Sequence, residues 1–131
     1  MYSKKTIFKE FIDTYFNLLK NIKDKVNNKD FNHFYNKNYL LKKTNVKLFI
    51  NTWYNEISKK FFNQIMSDDI LYFLNNDFKS NLKGLNSEFN INYYLDNLKT
   101  IYSKVEKNIF NYYIEQIKKL TKLSIIYFNT K

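Results

Sequence analysis

The stretch VKLFINTWYNEISKKFFNQIM, residues 46–66, carries the clearest structural signal in this 131-residue sequence. Its apolar residues recur three or four positions apart, which places them on one face of a helix. They are Val46, Phe49, Ile50, Trp53, Ile57, Phe61 and Ile65. Neither proline nor glycine interrupts them, and little of the chain alternates at the two-residue period of a strand. The stretch therefore predicts a helix with one buried face.

The sequence before this stretch predicts two more helices. The first covers about residues 4–25, where Ser3 or Thr6 can cap the N-terminus and the pair Asn27–Asn28 supplies a stop. The second, with a weaker stripe, covers about residues 30–43. Its apolar residues are Phe31, Phe34, Tyr35, Leu40 and Leu41. A polar pair, Thr44–Asn45, is the cap signal that separates it from the central helix.

The sequence after the central helix predicts a short helix over residues 69–75, a loop over residues 76–89 and a helical segment from Asn90 onward. The pattern Ser103-x-x-Glu106 matches a capping box, so that segment either breaks there or runs as one helix to Phe128. No linker or internal repeat is found. We therefore predict an all-α fold, a single compact bundle of five to six helices forming one domain over residues 1–131. The apolar stripes are too wide for a coiled-coil seam.

The composition is unusual because all 22 basic residues are lysines and none is arginine. Asparagine, isoleucine, phenylalanine and tyrosine are abundant, while alanine, proline and cysteine are absent. The abundant residues have A/T-rich codons, so an AT-rich genome accounts for part of the charge and aromatic content. The absence of cysteine excludes disulfides, thiolate metal sites and cysteine nucleophiles. No apolar run approaches the 18–20 residues of a membrane span, so an intracellular protein is expected.

Three stretches resemble sequences from a small uncharacterised protein family of nucleocytoplasmic large DNA viruses of algae and protists. They are FINTWY at residues 49–54, QIMSDDI at 64–70 followed by YFLNNDF at 72–78, and the final helix from Ile117 to Tyr127. The family pairs a helix bearing tryptophan with a Q-I-x-x-x-D-I-x-F-F-x-x-x-D-Y/F segment. The resemblance implies the cytoplasm of an infected host cell, or the virion, as the setting. The resemblance does not imply an activity for this chain.

Residues for enzymatic chemistry are scarce. The single histidine, His33, lies three positions after Asp30 on one helical face, a pair that could serve acid–base chemistry but is also an ordinary surface arrangement. The acidic group Asp68, Asp69 and Asp77 could bind a cation, although helix capping explains the first two. Gly84 belongs to no phosphate loop or nucleophile elbow. We predict no enzyme activity, no catalytic residue, no cofactor and no metal.

Lysine clusters are the candidate nucleic-acid contacts. They are Lys42, Lys43 and Lys47 near the second turn, and Lys118, Lys119 and Lys122 on the last helix. Lysine neutralises phosphates as a point charge, whereas reading of bases favours the arginine fork. Any nucleic-acid binding should therefore be weakened by salt and indifferent to sequence. A solvated basic face is the competing interpretation.

Aromatic residues off the helical stripes are candidates for a protein-docking patch. The proposed patch is Tyr54, Phe62, Tyr93, Tyr112 and Phe128, and Tyr102 and Phe110 are also off the stripes. Aromatic residues on the stripes are expected in the core.

Three functions remain open from the sequence. The first is a non-enzymatic viral structural or protein-interaction protein, used in the virion or its assembly, whose partners are virion components or a second copy. The second is a lysine-based nucleic-acid-binding or compacting protein. The third is a protein that lies on a membrane surface through its first amphipathic segment.

Overall fold

A computed structural model of the chain describes residues 3–27, 29–67 and 103–130, and all regular structure within them is helical. Helix α1 spans Lys4–Val26 and α2 spans Lys29–Thr44. Helix α3 consists of an α segment Lys47–Thr52, a π segment Trp53–Ser58 and an α segment Lys59–Met66. Helix α4 spans Lys107–Asn129. The all-α prediction is confirmed.

The described residues contain four helices, fewer than the five to six predicted for the whole chain. The short helix predicted at 69–75, the loop at 76–89 and the segment beginning at Asn90 lie outside the described residues.

The ends of α1 follow the local sequence. The Ser3 hydroxyl accepts a hydrogen bond from the backbone N–H of Thr6 at 3.2 Å. Asn27 adopts the left-handed conformation (φ 49°) that asparagine tolerates better than most residues, and its N–H donates to the carbonyl of Lys23. The predicted start and stop are both confirmed.

The junction between α2 and α3 differs from the prediction. The Thr44 hydroxyl donates back to the carbonyl of Leu40, and α3 begins after Val46 without a side-chain cap. Leu40, which was placed in the apolar stripe, is 64% exposed. The reason is geometric: Leu40 lies about 200° around the helix from the buried Asn38, since each residue turns about 100°.

The start of α4 settles the two alternatives for the last segment. Glu106 has extended backbone angles (φ −63°, ψ 152°) and precedes the first helical residue, Lys107. The break is therefore confirmed, and a single helix through to Phe128 is wrong. Glu106 itself occupies the N-cap position and makes no side-chain cap, so the predicted capping box does not initiate α4.

The core is built around aromatic rings that join α1 to α3. Phe11 and Tyr15 on α1 contact Trp53 and Phe49 on α3 with ring centroids 5.1–6.3 Å apart. Tyr113 of α4 is also fully buried. Phe110, which the sequence placed off the stripe, is 2% exposed and belongs to this core. The stripe residues Phe11, Phe49, Trp53 and Phe61 confirm the expected core, and Phe8 packs against it partly buried.

The spacing of the apolar residues explains the π segment of α3. The core residues Phe49, Trp53, Ile57, Phe61 and Ile65 follow one another at steps of four. In an α-helix each such step turns about 40° beyond a full turn, so the stripe would drift off the core. A π turn contains one extra residue, which rotates the side chains that follow it back towards the core. Phe61 then departs from helical angles (φ −127°, ψ 18°), which kinks the helix.

Candidate nucleic-acid interface

A buried hydrogen bond between α1 and α2 decides which side of α2 faces outward. The Tyr15 hydroxyl donates to Asn38 Oδ1 at 2.7 Å, and Asn38 Nδ2 donates to the carbonyl of Phe34 at 2.8 Å. Both side chains are fully buried, so their polar atoms need these partners. With Phe31, Phe34 and Asn38 held inward, Tyr39 and Lys43 are exposed to solvent, whereas Tyr35 and Leu41 remain partly buried against the core.

Tyrosines and lysines alternate along this outward side. The rings of Tyr35 and Tyr39 stack with centroids 6.3 Å apart. Lys23 of α1 places its Nζ 5.3 Å from the Tyr35 ring, and Lys43 places its Nζ 5.3 Å from the Tyr39 ring. Lys42 lies 5.9 Å from the Tyr39 ring. We call these five residues the lysine–tyrosine face.

The ring of Phe16 anchors this face to α1. Phe16 meets Tyr39 edge to face at 6.4 Å, and the Nζ of Lys42 lies 4.9 Å from the Phe16 ring. An exposed cation–ring contact is worth only about 0.5–1 kcal/mol. The contacts at the exposed Tyr39 ring therefore orient the lysines only weakly.

The lysine–tyrosine face carries uncompensated positive charge. Residues 38–55 include Lys42, Lys43 and Lys47 and contain no Asp or Glu. Among the described residues, no carboxylate forms an ion pair with Lys42, Lys43 or the Lys23 of α1. The location of Lys42 and Lys43 in the last turn of α2 also suits the negative end of the helix dipole.

The second lysine cluster is electrostatically different. Lys118 pairs with Glu115 at 3.3 Å, and Lys119 pairs across the helix interface with Glu10 of α1 at 2.7 Å. Lys122 is exposed on the same helix. Two of the three lysines predicted here thus have a carboxylate beside them, which lowers the local positive potential.

Lys47 joins the first cluster at its edge. It is exposed and begins α3, four residues after Lys43. The three intervening residues limit the Cα separation to about 15 Å. Lys42, Lys43 and Lys47 therefore share one end of the bundle.

The aromatic residues proposed as a docking patch do not meet as one surface. Tyr54 and Phe128 stack with centroids 4.4 Å apart, and Phe62 is 41% exposed. Tyr112 is 47% exposed, but it lies sixteen residues before Phe128 on α4, about 24 Å along the helix. Tyr93 and Tyr102 lie outside the described residues.

The other candidate chemistry finds little support in the geometry. His33 and Asp30 are both exposed on α2. Within residues 3–27, 29–67 and 103–130 no three His, Cys, Asp or Glu side chains group together as metal ligands. The acidic group Asp68, Asp69 and Asp77 lies outside these ranges. None of the helices in the same ranges has both the length and the apolar character that crossing a membrane requires.

Comparison with protein-family models, with curated proteins and with solved structures finds no match. The assignment of this surface therefore depends on its own geometry. Sequence reasoning missed Lys23, Tyr35 and Tyr39 as members of it. The signal was the four-residue spacing of Tyr35 and Tyr39, which places the two rings side by side on a helix.

Proposed function

We propose that this protein is a non-enzymatic nucleic-acid-binding protein that holds phosphates through the lysine–tyrosine face. The observation that carries the proposal is the carboxylate-free run of basic residues on α2 and at the start of α3, beside exposed tyrosine. The face offers several ammonium groups and few competing anions, which is the electrostatic footprint of phosphate binding.

Because the face uses lysine, we expect the binding to depend on salt and not on base sequence. An ammonium group attracts a phosphate as a point charge and lacks the planar fork that pairs with guanine. Affinity should come mainly from released counterions, so it should fall steeply as salt rises. One base sequence should bind about as well as another.

The test compares two triple variants that remove the same charge. Lys23→Gln/Lys42→Gln/Lys43→Gln neutralises the proposed face. Lys118→Gln/Lys119→Gln/Lys122→Gln is the matched control on α4, and each variant lowers the net charge from +10 by three. Fluorescence anisotropy with a mixed-sequence oligonucleotide of about 20 nucleotides gives Kd at about 50 and 200 mM salt.

The face variant should lose affinity about tenfold at the lower salt concentration, and its plot of log K against log salt should be shallower by about two for a single strand. The α4 control should lose less than about threefold, since two of its lysines already have carboxylate partners. A Lys→Arg triple at the face should bind like wild type. Equal losses in both triple variants, or no binding by wild type at the lower salt, would refute the proposal.

A protein-interaction role is the second candidate, and a groove between α1 and α4 favours it. The groove has a volume of about 270 Å³ and is lined by Thr6, Ile7, Glu10, Lys119 and Leu123. Ile126, 48% exposed, lies one turn beyond Leu123. An apolar side chain from a second copy of the chain could occupy it, with the Glu10–Lys119 pair at its rim.

Light scattering after size-exclusion chromatography tests this second role. If the groove joins two copies, wild type should elute as a dimer and Leu123→Glu as a monomer. Leu40→Glu, on an exposed α2 position, is the matched control and should leave the mass unchanged. A wild-type monomer at all concentrations tested would remove the self-association role.

From the family resemblance alone, we propose an infected host cell or a virion as the setting of either role. In an infected host cell or a virion of a large DNA virus, the nucleic acid would be viral and the protein partners would be virion components. Mass spectrometry of purified virions of a large DNA virus that encodes the chain would detect it if it is packaged, and its absence there would rule out the virion as the setting.

A further inference from the structure

We infer that Tyr39 is a base-stacking residue, and that it gives the lysine–tyrosine face a preference for single-stranded over duplex nucleic acid. The inference rests on the proposed function and names the class of ligand that the same face prefers.

The position of Tyr39 is the first argument. Its side chain is 45% exposed although its ring also contacts Phe16 and Tyr35. These two contacts hold the ring in place without covering it. A ring that is already oriented loses little conformational freedom when a base stacks on it.

The lysines beside the ring supply the second argument. Lys42 and Lys43 place their ammonium groups 5.9 and 5.3 Å from the Tyr39 ring. To bind, a nucleotide needs a cation for its phosphate and a flat surface for its base. Here the ammonium groups of the two lysines lie next to the flat Tyr39 ring. Lys43, which is exposed, can leave the ring for the phosphate, and this opens the ring face to the base.

The strand preference follows from what each group can contact. Lysines contact phosphates in single strands and duplexes alike. Bases in a duplex are stacked on their neighbours, so only unpaired bases can lie on a tyrosine ring. Because every base has a flat face, stacking on the tyrosine ring favours single strands over duplexes but does not favour one base sequence over another.

The test is a Tyr39→Leu variant, measured against a mixed-sequence single strand, its duplex and an abasic strand of the same length. Tyr112→Leu is the matched control, because Tyr112 is 47% exposed on α4, away from the face. Tyr39→Phe keeps the ring and should bind like wild type. Melting temperature checks that each variant is folded.

Tyr39→Leu should weaken single-strand binding about tenfold and leave duplex and abasic binding within about twofold. Tyr112→Leu should change none of the three. A Tyr39→Leu variant that binds single strands normally, or that loses duplex and single-strand affinity equally, overturns the inference while phosphate binding by the lysines stands. If wild type binds none of the three probes, the proposed function fails and the inference fails with it.

Discussion

The indole Nε1 of Trp53 donates a hydrogen bond to Thr121 Oγ1 at 3.2 Å, between two fully buried side chains that lie 68 positions apart in the sequence. The Thr121 hydroxyl in turn donates to the carbonyl of Ile117 at 2.9 Å. One hydroxyl thus accepts from α3 and donates within α4, which fixes the register of the two helices. Buried polar groups require such partners. When a partner is removed, the group left behind is buried without a hydrogen bond, and its desolvation is no longer compensated.

Replacing Thr121 with valine should destabilise the protein by about 1–3 kcal/mol, because the shape is kept while the acceptor for the Trp53 N–H is lost. Thr44→Val is the matched control at an exposed position, where the effect should stay below about 0.5 kcal/mol. Urea unfolding monitored by the single tryptophan measures both. A Thr121→Val protein as stable as wild type would show that the hydrogen bond does not stabilise the bundle.

The buried pair Ser58 and Ser124 should behave as a coupled unit. Their hydroxyl oxygens are 2.6 Å apart, and Ser124 donates its proton to the carbonyl of Thr121, so Ser58 is the donor between them. Each single Ser→Ala change should cost about 1 kcal/mol, and the double variant should cost less than the two together. A double-mutant cycle by urea unfolding measures the coupling, and strict additivity would contradict it.

Deletion of Asn55 should be tolerated. Asn55 is exposed within the π segment, and its removal leaves steps of three, four and four between the core residues that follow Trp53. That spacing fits a regular α-helix, so the core contacts can be kept. The melting temperature should stay within about 5 °C of wild type, or about 1 kcal/mol.

Deletion of the exposed Asn17 is the control for Asn55. Asn17 lies in the regular helix α1, so its removal rotates the rest of α1 by about 100° and displaces Leu18 and Ile22 from the core. This variant should lose cooperative unfolding by circular dichroism. The explanation of the π segment fails if the two deletions are equally damaging.

Stability should fall in alkaline solution through Tyr113. Burial raises the pKa of Tyr113 above its ordinary value of 10.0, and the neighbouring Tyr112 raises it further. Its hydroxyl also donates to Asn21 Oδ1 at 2.9 Å, which requires the protonated form. The unfolded chain therefore loses this proton at lower pH than the folded chain, so the contribution is complete below pH 10 and is lost as pH rises through the raised pKa.

Urea unfolding of wild type and Tyr113→Phe between pH 8 and 11 measures this effect. Lysine titration affects both proteins equally, so the difference between them isolates Tyr113. Wild type should lose stability more steeply above pH 10 than Tyr113→Phe, and Tyr112→Phe should retain most of the wild-type slope. Parallel curves for wild type and Tyr113→Phe would show that Tyr113 is not the titrating group.

Features that arise within one or two helical turns were predictable from the residues that form them. The Ser3 cap and the Asn27 stop depend on neighbouring backbone groups, so the residues at these positions predict them, whereas the break before Lys107 forms without the predicted capping box. The all-α class and most of the core followed from the helical period. The four-residue spacing of the apolar residues in α3 also indicates the π segment, although a regular helix was predicted there.

Which charges and rings come together depends on how the helices pack in three dimensions. The two lysine clusters are comparable in sequence, but Glu10 of α1 pairs with Lys119 of α4 across an interface, while Lys42 and Lys43 have no such partner among the described residues. The placement of Phe16 under Tyr39 is likewise set by packing. Contacts between helices depend on their register, which the buried bonds fix and which no local pattern of residues encodes.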